Sequence, residues 1–241
     1  MCSNEIKKYA KENYENVLEL TRELCKIPAP SHLEHKRAEF CRNWFHSIGA
    51  KKAYIDDALN VICPINCENS NEITVFAAHT DTVFPDTEPM PFHEDEERMY
   101  SPGVGDDTAS ASVLMIAAKY FIENNLVPEK GIMFVCNSCE EGLGNLKGTR
   151  QLFKDFEGRI GQFVSFDCGF PRIYDGCVGS HRYEVEVLTE GGHSWGKFGN
   201  DNAIAVLAGI AAEIYKLKVP EKEGTRTTYN IGTIEGGTSV N

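Results

Sequence analysis

Four short stretches rich in acids or histidine stand immediately after apolar runs, and their residue types are those that hold divalent cations. His79-Thr80-Asp81 follows the run Ile73–Ala78. In an extended chain, residues two apart point to the same side. The His79 imidazole can therefore ligate a metal while Asp81 holds its other ring nitrogen and fixes the tautomer. Gly103-Val104-Gly105-Asp106-Asp107-Thr108 opens the next apolar helical pattern. An aspartate there can be an ordinary helix cap; two adjacent carboxylates beside flexible glycines also suit a bridge between two cations. Glu140-Glu141-Gly142 follows Gly131–Cys136, and paired carboxylates repel unless something positive lies between them. Asp167 follows Gln162–Phe166. Each stretch alone is matched by a solvated acidic turn. Together they place oxygen and nitrogen donors at one kind of position, where α/β proteins gather ligands.

This donor set suits zinc, with cobalt or manganese as substitutes. A two-metal hydrolase uses it economically. Asp106 bridges, His79 and Asp167 serve one ion, and Glu141 serves the other. Glu140 is left as the base that takes a proton from water.

The surrounding pattern says what must position these groups. Apolar residues between 4 and 26 recur at helical spacing, which predicts one amphipathic helix ended by Pro28 and Pro30. Ser31-His32-Leu33-Glu34 has the form of a capping box for a second helix carrying Phe40, Trp44, Phe45 and Ile48, stopped at Gly49. Ile73–Ala78 and Gly131–Cys136 read as buried strands, Gln162–Phe166 as a third apolar one, and Val61–Cys63 as a weak one. Arg98–Tyr100 fits a small hairpin. Helices are expected over Ser110–Glu123 and Leu146–Phe156. Alternating buried strands and helices predict an α/β domain with a mixed, largely parallel sheet flanked by helices. Beyond about residue 178 the pattern becomes strictly alternating, in Tyr183–Val187 and again in Thr227–Ile234, around a helix over Asn202–Leu217. Two domains are expected, 1–177 and 178–241.

Composition narrows the function classes. With 24 basic against 36 acidic residues the net charge is −12, which argues against nucleic acid as a partner. No apolar run is long enough for a membrane span, and residues 1–11 lack the apolar centre of a signal peptide. Nine cysteines, an odd number, point to reduced thiols and a cytoplasmic setting. Cys136 and Cys139 have the spacing of a redox or zinc pair, and Cys63 and Cys67 form a looser one.

His79-Thr80-Asp81-Thr82-Val83-Phe84-Pro85, Gly105-Asp106-Asp107, Glu140-Glu141-Gly142 and Asp167, taken in order, resemble the di-zinc exopeptidase family that includes peptidase T, glutamate carboxypeptidase and aminoacylase. Ile27-Pro28-Ala29-Pro30-Ser31 with Glu34 resembles its N-terminal segment. The resemblance implies two zinc ions and hydrolysis of an amide bond in short peptides. It implies His79, Glu141 and Asp167 as ligands, Asp106 as the bridge, Asp81 as the orienting partner and Glu140 as the base. N-acyl amino-acid deacylation and carboxypeptidase action stay open within the family. An inactive metal-binding or dimerisation fragment stays open outside it.

The resemblance also implies a small α+β lid inserted in the catalytic domain, through which such proteins dimerise. Gly191-Gly192-His193-Ser194 is similar to its start, with His193 as the histidine that supports the oxyanion. Gly236-Gly237-Thr238-Ser239-Val240-Asn241 is similar to a later lid motif whose asparagine, Asn241, contacts substrate. Where the family often has lysine after the aspartate pair, this sequence has Thr108. The family pattern continues past residue 241 and ends with a further ligand histidine, so the chain is expected to be part of a longer protein or a natural fragment. His32, His35, His46, His93 and His181 do not fit that histidine's place.

Overall fold

The computed structural model describes residues 3–84, 90–167, 169 and 171–240. The chain divides into two compact units, Met1–Ile173 and Tyr174–Asn241.

The first unit begins with α1 (Asn4–Glu12) and α2 (Tyr14–Cys25), where one helix was expected. The interruption is at Asn13, whose side-chain Nδ2 donates to the Tyr9 carbonyl at 3.0 Å. A short amide competing for the helix's own acceptors is a common cause of such breaks. Next comes α3 (His35–Ser47), ended by Gly49 at φ +97°. There follow β1 (Tyr54–Ile55), β2 (Val61–Ile65), β3 (Ile73–His79) and a small hairpin of β4 (His93–Glu94) with β5 (Met99–Tyr100). The unit closes with α4 (Ala109–Glu123), β6 (Gly131–Asn137), α5 (Lys147–Asp155) and β7 (Ile160–Ser165).

Five strands form one sheet in the order β1-β2-β6-β3-β7. The β3/β6 and β3/β7 pairs are parallel, and β1/β2 and β2/β6 are antiparallel. The two apolar runs at the centre follow from burial on both faces. Along β3, Ile73, Val75 and Ala77 join one core with Met133, Val135 and Leu152 of α5. Ala78 joins the other core with Phe134, Cys136, Leu24, Phe45 and Met115, from α2, α3 and α4. Fully buried side chains of this size each contribute about 1.5–3 kcal/mol, so the centre of the sheet is the most firmly held part of the unit. By contrast β7, the third apolar strand, pairs among the described residues only with β3 and lies at the edge of this sheet, its side chains half-buried or exposed.

The expected capping box is corrected, and the alternative of a cap at the aspartate pair is not what forms. Glu34 is the N-cap of α3 but makes no side-chain capping bond. Ser31 and Glu34 turn instead to partners on distant loops, described below. Asp106 and Asp107 do not cap α4 either: they lie in a tight turn, Val104–Thr108, with non-helical backbone angles.

Cys25, Cys41, Cys63, Cys67, Cys136 and Cys139 are free and buried, and Cys177 is free and exposed. Among the described residues none of them joins a cluster of metal donors. No described helix is long and apolar enough to cross a membrane.

The second unit holds α6 (Ala203–Ile214), capped by Asn202, whose Oδ1 accepts from Ala205 N at 3.0 Å, and a hairpin of β8 (Glu221–Lys222) with β9 (Thr225–Arg226). The strands expected at Tyr183–Val187 and Thr227–Ile234 are not formed, and these stretches are largely exposed. Strict alternation marks a face to be covered, and the described residues of this unit offer neither a cover nor a ladder partner for it.

Candidate metal centre

Parallel pairing sets where the donors emerge. β3 and β6 run in register to the pair His79↔Asn137, so their C-terminal ends open at the same edge of the sheet. β7 is in register with β3 at Ala77↔Ser165, and Asp167 lies just beyond it. The fourth stretch arrives from the turn before α4. Gly103, at φ +70°, crosses so close to Thr82 that a Cβ would lie 2.4 Å from the threonine Cγ2.

These elements gather the donors into two overlapping groups, His79 with Asp106 and Glu141, and His79 with Glu140 and Asp167, each with its donor atoms within 4.8 Å of one another. His79 is fully buried and central. Its Nδ1 lies 3.0 Å from the Asp81 carbonyl oxygen and 3.5 Å from the Asp81 carboxylate. Both neighbours are acceptors, so Nδ1 carries a proton, and Nε2 is the ring nitrogen turned to the cluster. That Nε2 is 2.9 Å from Asp106 Oδ1 and 4.0 Å from Glu140 Oε2. A lone pair and a carboxylate at this separation need a proton or a cation between them.

Asp81 is completely buried and saturated as an acceptor. Oδ1 accepts from Glu140 N at 2.9 Å, and Oδ2 accepts from Glu141 N at 3.0 Å and from Ser31 Oγ at 2.6 Å. It therefore holds the Glu140–Glu141 turn as well as the imidazole. The adjacent aspartates diverge. The side chain of Asp106 is largely exposed toward the cluster, whereas Asp107 is buried and accepts from His79 N at 3.0 Å. The peptide bond between them is cis.

The titration directions describe a site with too much negative charge. Burial pushes the Asp107 carboxyl up to about 7, against the favourable influence of Ser110 and His79. Burial likewise raises Glu140 and Glu141, opposed by His79 but reinforced by the carboxylates of Asp167 and Asp106 respectively. Burial would lower His79, yet its hydrogen bond to Asp81 and the charges of Asp107, Asp81 and Glu140 lift it to about 10. Asp81 stays below the usual carboxylate range: burial alone would raise it, and the contacts from His79, Ser31 and the two backbone N–H groups outweigh that. A divalent cation supplies the missing counter-charge, so the residues fit a metal.

The structure thus brings together all of His79, Asp81, Asp106, Glu140, Glu141 and Asp167. It pairs Glu140 with Asp167 and Glu141 with Asp106, so both glutamates stand within reach of a cation. His193 lies in the second unit, exposed, with Nδ1 accepting from Trp195 N at 3.2 Å. Asn241 lies outside the described residues. The other histidines are engaged elsewhere or stay outside the cluster; His46 Nε2 is 2.8 Å from the Ala53 carbonyl, and His93 stacks on Tyr100. Buried polar residues near the donors escaped the sequence reading. Asn60 Oδ1 accepts from Ser138 N at 3.1 Å, and Arg37 reaches the Thr80 carbonyl at 2.7 Å. Nothing in an isolated Asn or in an Arg on an amphipathic helix marks such a role.

The profile of peptidase family M20/M25/M40 matches residues 75–237, more than half of the chain and all four donor stretches. The chain belongs to this family. Among solved structures it is similar to the aminopeptidase PepT of Bacillus cereus, at 19% identity and a TM-score of 0.50, over 64% of this chain and 43% of that one. It is similar to the Legionella pneumophila LapA aminopeptidase at 18% identity and a TM-score of 0.51, over 69% and 46%. Human carnosine dipeptidase 1 aligns at 16% identity and a TM-score of 0.51, over 67% and 40%. These likenesses show the catalytic-domain fold, and the alignments span less than half the length of each of these proteins. A search of curated proteins finds no significant match.

Proposed function

We propose that the protein is a metal-dependent hydrolase of amide bonds in short peptides, an exopeptidase of di- or tripeptidase type working with two zinc ions. The observation that carries this is the double donor group sharing His79 at the open edge of a family M20/M25/M40 sheet. The named peptidases with the same fold support a peptide as substrate.

A bound pair of divalent cations supplies the charge that polarises the scissile carbonyl and acidifies a water. His79, Asp106, Glu141 and Asp167 would hold the pair, with Asp106 as the shared carboxylate that the sequence resemblance implies. Asp81 keeps the imidazole in the tautomer that leaves Nε2 free. Glu140, raised above the ordinary carboxyl range, takes the proton of the attacking water and returns it to the leaving amine. Residues 178–241 are the start of a lid through which the protein dimerises, His193 supports the developing oxyanion, and Asn241 contacts substrate; the sequence resemblance supports these roles.

The test separates base from ligand at Glu140. Glu140→Ala is expected to lower turnover of dipeptides and tripeptides by at least about 10²-fold while two zinc ions remain by metal analysis. Turnover at the normal rate refutes the mechanism. Loss of an ion makes Glu140 a ligand instead.

A further inference from the structure

The motif read as a capping box makes no side-chain capping bond, and its side chains go elsewhere. Ser31, Glu34 and Arg37 recur every third residue where the chain already turns, with Leu33 N donating to the Pro30 carbonyl at 2.8 Å and Ala38 N to the Glu34 carbonyl at 2.8 Å. Each of the three reaches a different part of the donor cluster's backing. Ser31 Oγ donates to Asp81 Oδ2 at 2.6 Å and lies 3.4 Å from the Glu141 carbonyl. Glu34 Oε1 accepts from Cys139 N at 2.9 Å, the residue before Glu140. Arg37 Nη1 donates to the Thr80 carbonyl, between His79 and Asp81, and lies 3.3 Å from Thr108 Oγ1, just after the aspartate pair. The remaining guanidinium contacts anchor Arg37 to the carbonyls of Leu24 and Ile27 at the end of α2.

We infer that Ser31, Glu34 and Arg37 are positioning residues of the metal centre, a brace that fixes the three donor loops around His79, Asp106 and Glu140–Glu141 relative to one another. The inference rests on the metal-centre reading proposed above. Stability alone does not explain the arrangement. Arg37 and Glu34 are both buried, and among the described residues they do not pair with each other and Glu34 Oε2 has no hydrogen-bond partner. Apolar side chains of similar volume hold a helix against a core as well or better. What the polar contacts deliver is direction: the planar guanidinium has fixed donor angles, and the carboxylate of Glu34 holds a single N–H at the root of the glutamate turn. A donor loop that shifts by a fraction of an ångström misplaces its ligand, and partners of this kind change metal affinity by about 10–100-fold in other metal sites.

Two measurements on the variants Ser31→Ala, Glu34→Ala and Glu34→Gln test it. Residue-resolved hydrogen exchange is made on the metal-free protein. Ser31→Ala is expected to speed exchange of the Glu140 and Glu141 amides by about tenfold more than that of the central amides of β3 and β6. Glu34→Ala does the same at Cys139, and Glu34→Gln, which keeps an oxygen acceptor, restores slow exchange. Competition with a chromophoric chelator then gives Zn²⁺ affinity, expected to fall about 10–100-fold in Ser31→Ala and Glu34→Ala and to recover in Glu34→Gln. Uniformly faster exchange, or wild-type Zn²⁺ affinity in both alanine variants, overturns the positioning role. Ser31 is half-buried and small, so its variant tests the idea even where Glu34→Ala fails to fold. A wild-type protein that binds no Zn²⁺ overturns the metal-centre reading alone, because the exchange measurement needs no metal.

Discussion

Replacing Gly148 by alanine sets two effects of opposite sign against each other. Gly148 lies inside α5, where alanine is the better helix former by about 0.8–1 kcal/mol. On propensity alone the variant is more stable. The packing says otherwise. A Cβ at this position lies 2.3 Å from Asn60 Oδ1, 2.5 Å from the Ser138 carbonyl oxygen and 2.9 Å from Ser138 N. Neither neighbour can yield freely. Asn60 is buried and tied to Asp56 Oδ2 at 2.6 Å, to the Gly148 carbonyl at 2.9 Å and to Ser138 N. Ser138 continues β6 into the glutamate turn, and its Oγ donates to the Ala58 carbonyl at 2.5 Å. Relief of the clash moves α5 away and weakens the Gly148 N to Ser138 carbonyl bond at 3.3 Å and the Asn60 bridge. Overpacking of this kind costs about 1–3 kcal/mol, and each weakened hydrogen bond about 1 kcal/mol more. After the propensity gain is subtracted, the net is a loss of about 2–4 kcal/mol. Urea unfolding followed by far-UV circular dichroism measures it, with a wild-type m-value showing that the unfolded state is unchanged. A variant as stable as wild type, or more so, refutes the close approach of α5 to Ser138.

The same physics bears on other positions. Asp81→Asn is expected to lower the stability of the metal-free protein by about 2–4 kcal/mol, because one amide oxygen replaces two carboxylate oxygens facing the Glu140 and Glu141 N–H groups; a urea midpoint equal to wild type contradicts those bonds. Thiol labelling of the native protein with mass mapping is expected to mark Cys177 within minutes, and Cys25, Cys41, Cys63, Cys67, Cys136 and Cys139 only on unfolding. Burial, with help from Cys67, pushes the Cys63 thiol up to about 12. The unfolded chain therefore ionises this group first, from about pH 8.5, and stability falls as pH rises from there toward 12; a flat stability profile over that window contradicts its burial.

The sequence disclosed the parts of the fold that local chemistry decides. Ile73–Ala78, save Thr74, and Gly131–Cys136 are apolar because both faces are covered, and they lie next to each other inside the sheet. The donors were visible because they end those strands, and a parallel pair must bring its C-terminal ends together. What was not visible depends on distant partners. The Ser31–Glu34 spacing fits a capping box, but Asp81 and Cys139 N compete for the same side chains and win. Arg37 is indistinguishable in sequence from a solvated helix residue until Leu24, Ile27 and Thr80 are seen to surround it. Gln162–Phe166 is apolar enough for a core strand yet ends at the sheet edge, since composition does not encode strand order.

The position of β6 has a consequence for how the chain reaches this state. β2 and β3 are consecutive, joined by the link 66–72, and run antiparallel to each other, yet they are not neighbours, because β6 lies between them. Until the segment 131–137 is available, each finds in the other a nearby antiparallel partner with an apolar edge. Closing the short link is entropically cheaper than closing 80–130 by about 2 kcal/mol. A β2–β3 hairpin is therefore the competing pairing that closure entropy favours, and it would have to open along its ladder to admit β6. Such a pairing is expected to show as rollover of the refolding limb at low denaturant, and a linear limb of full amplitude excludes it.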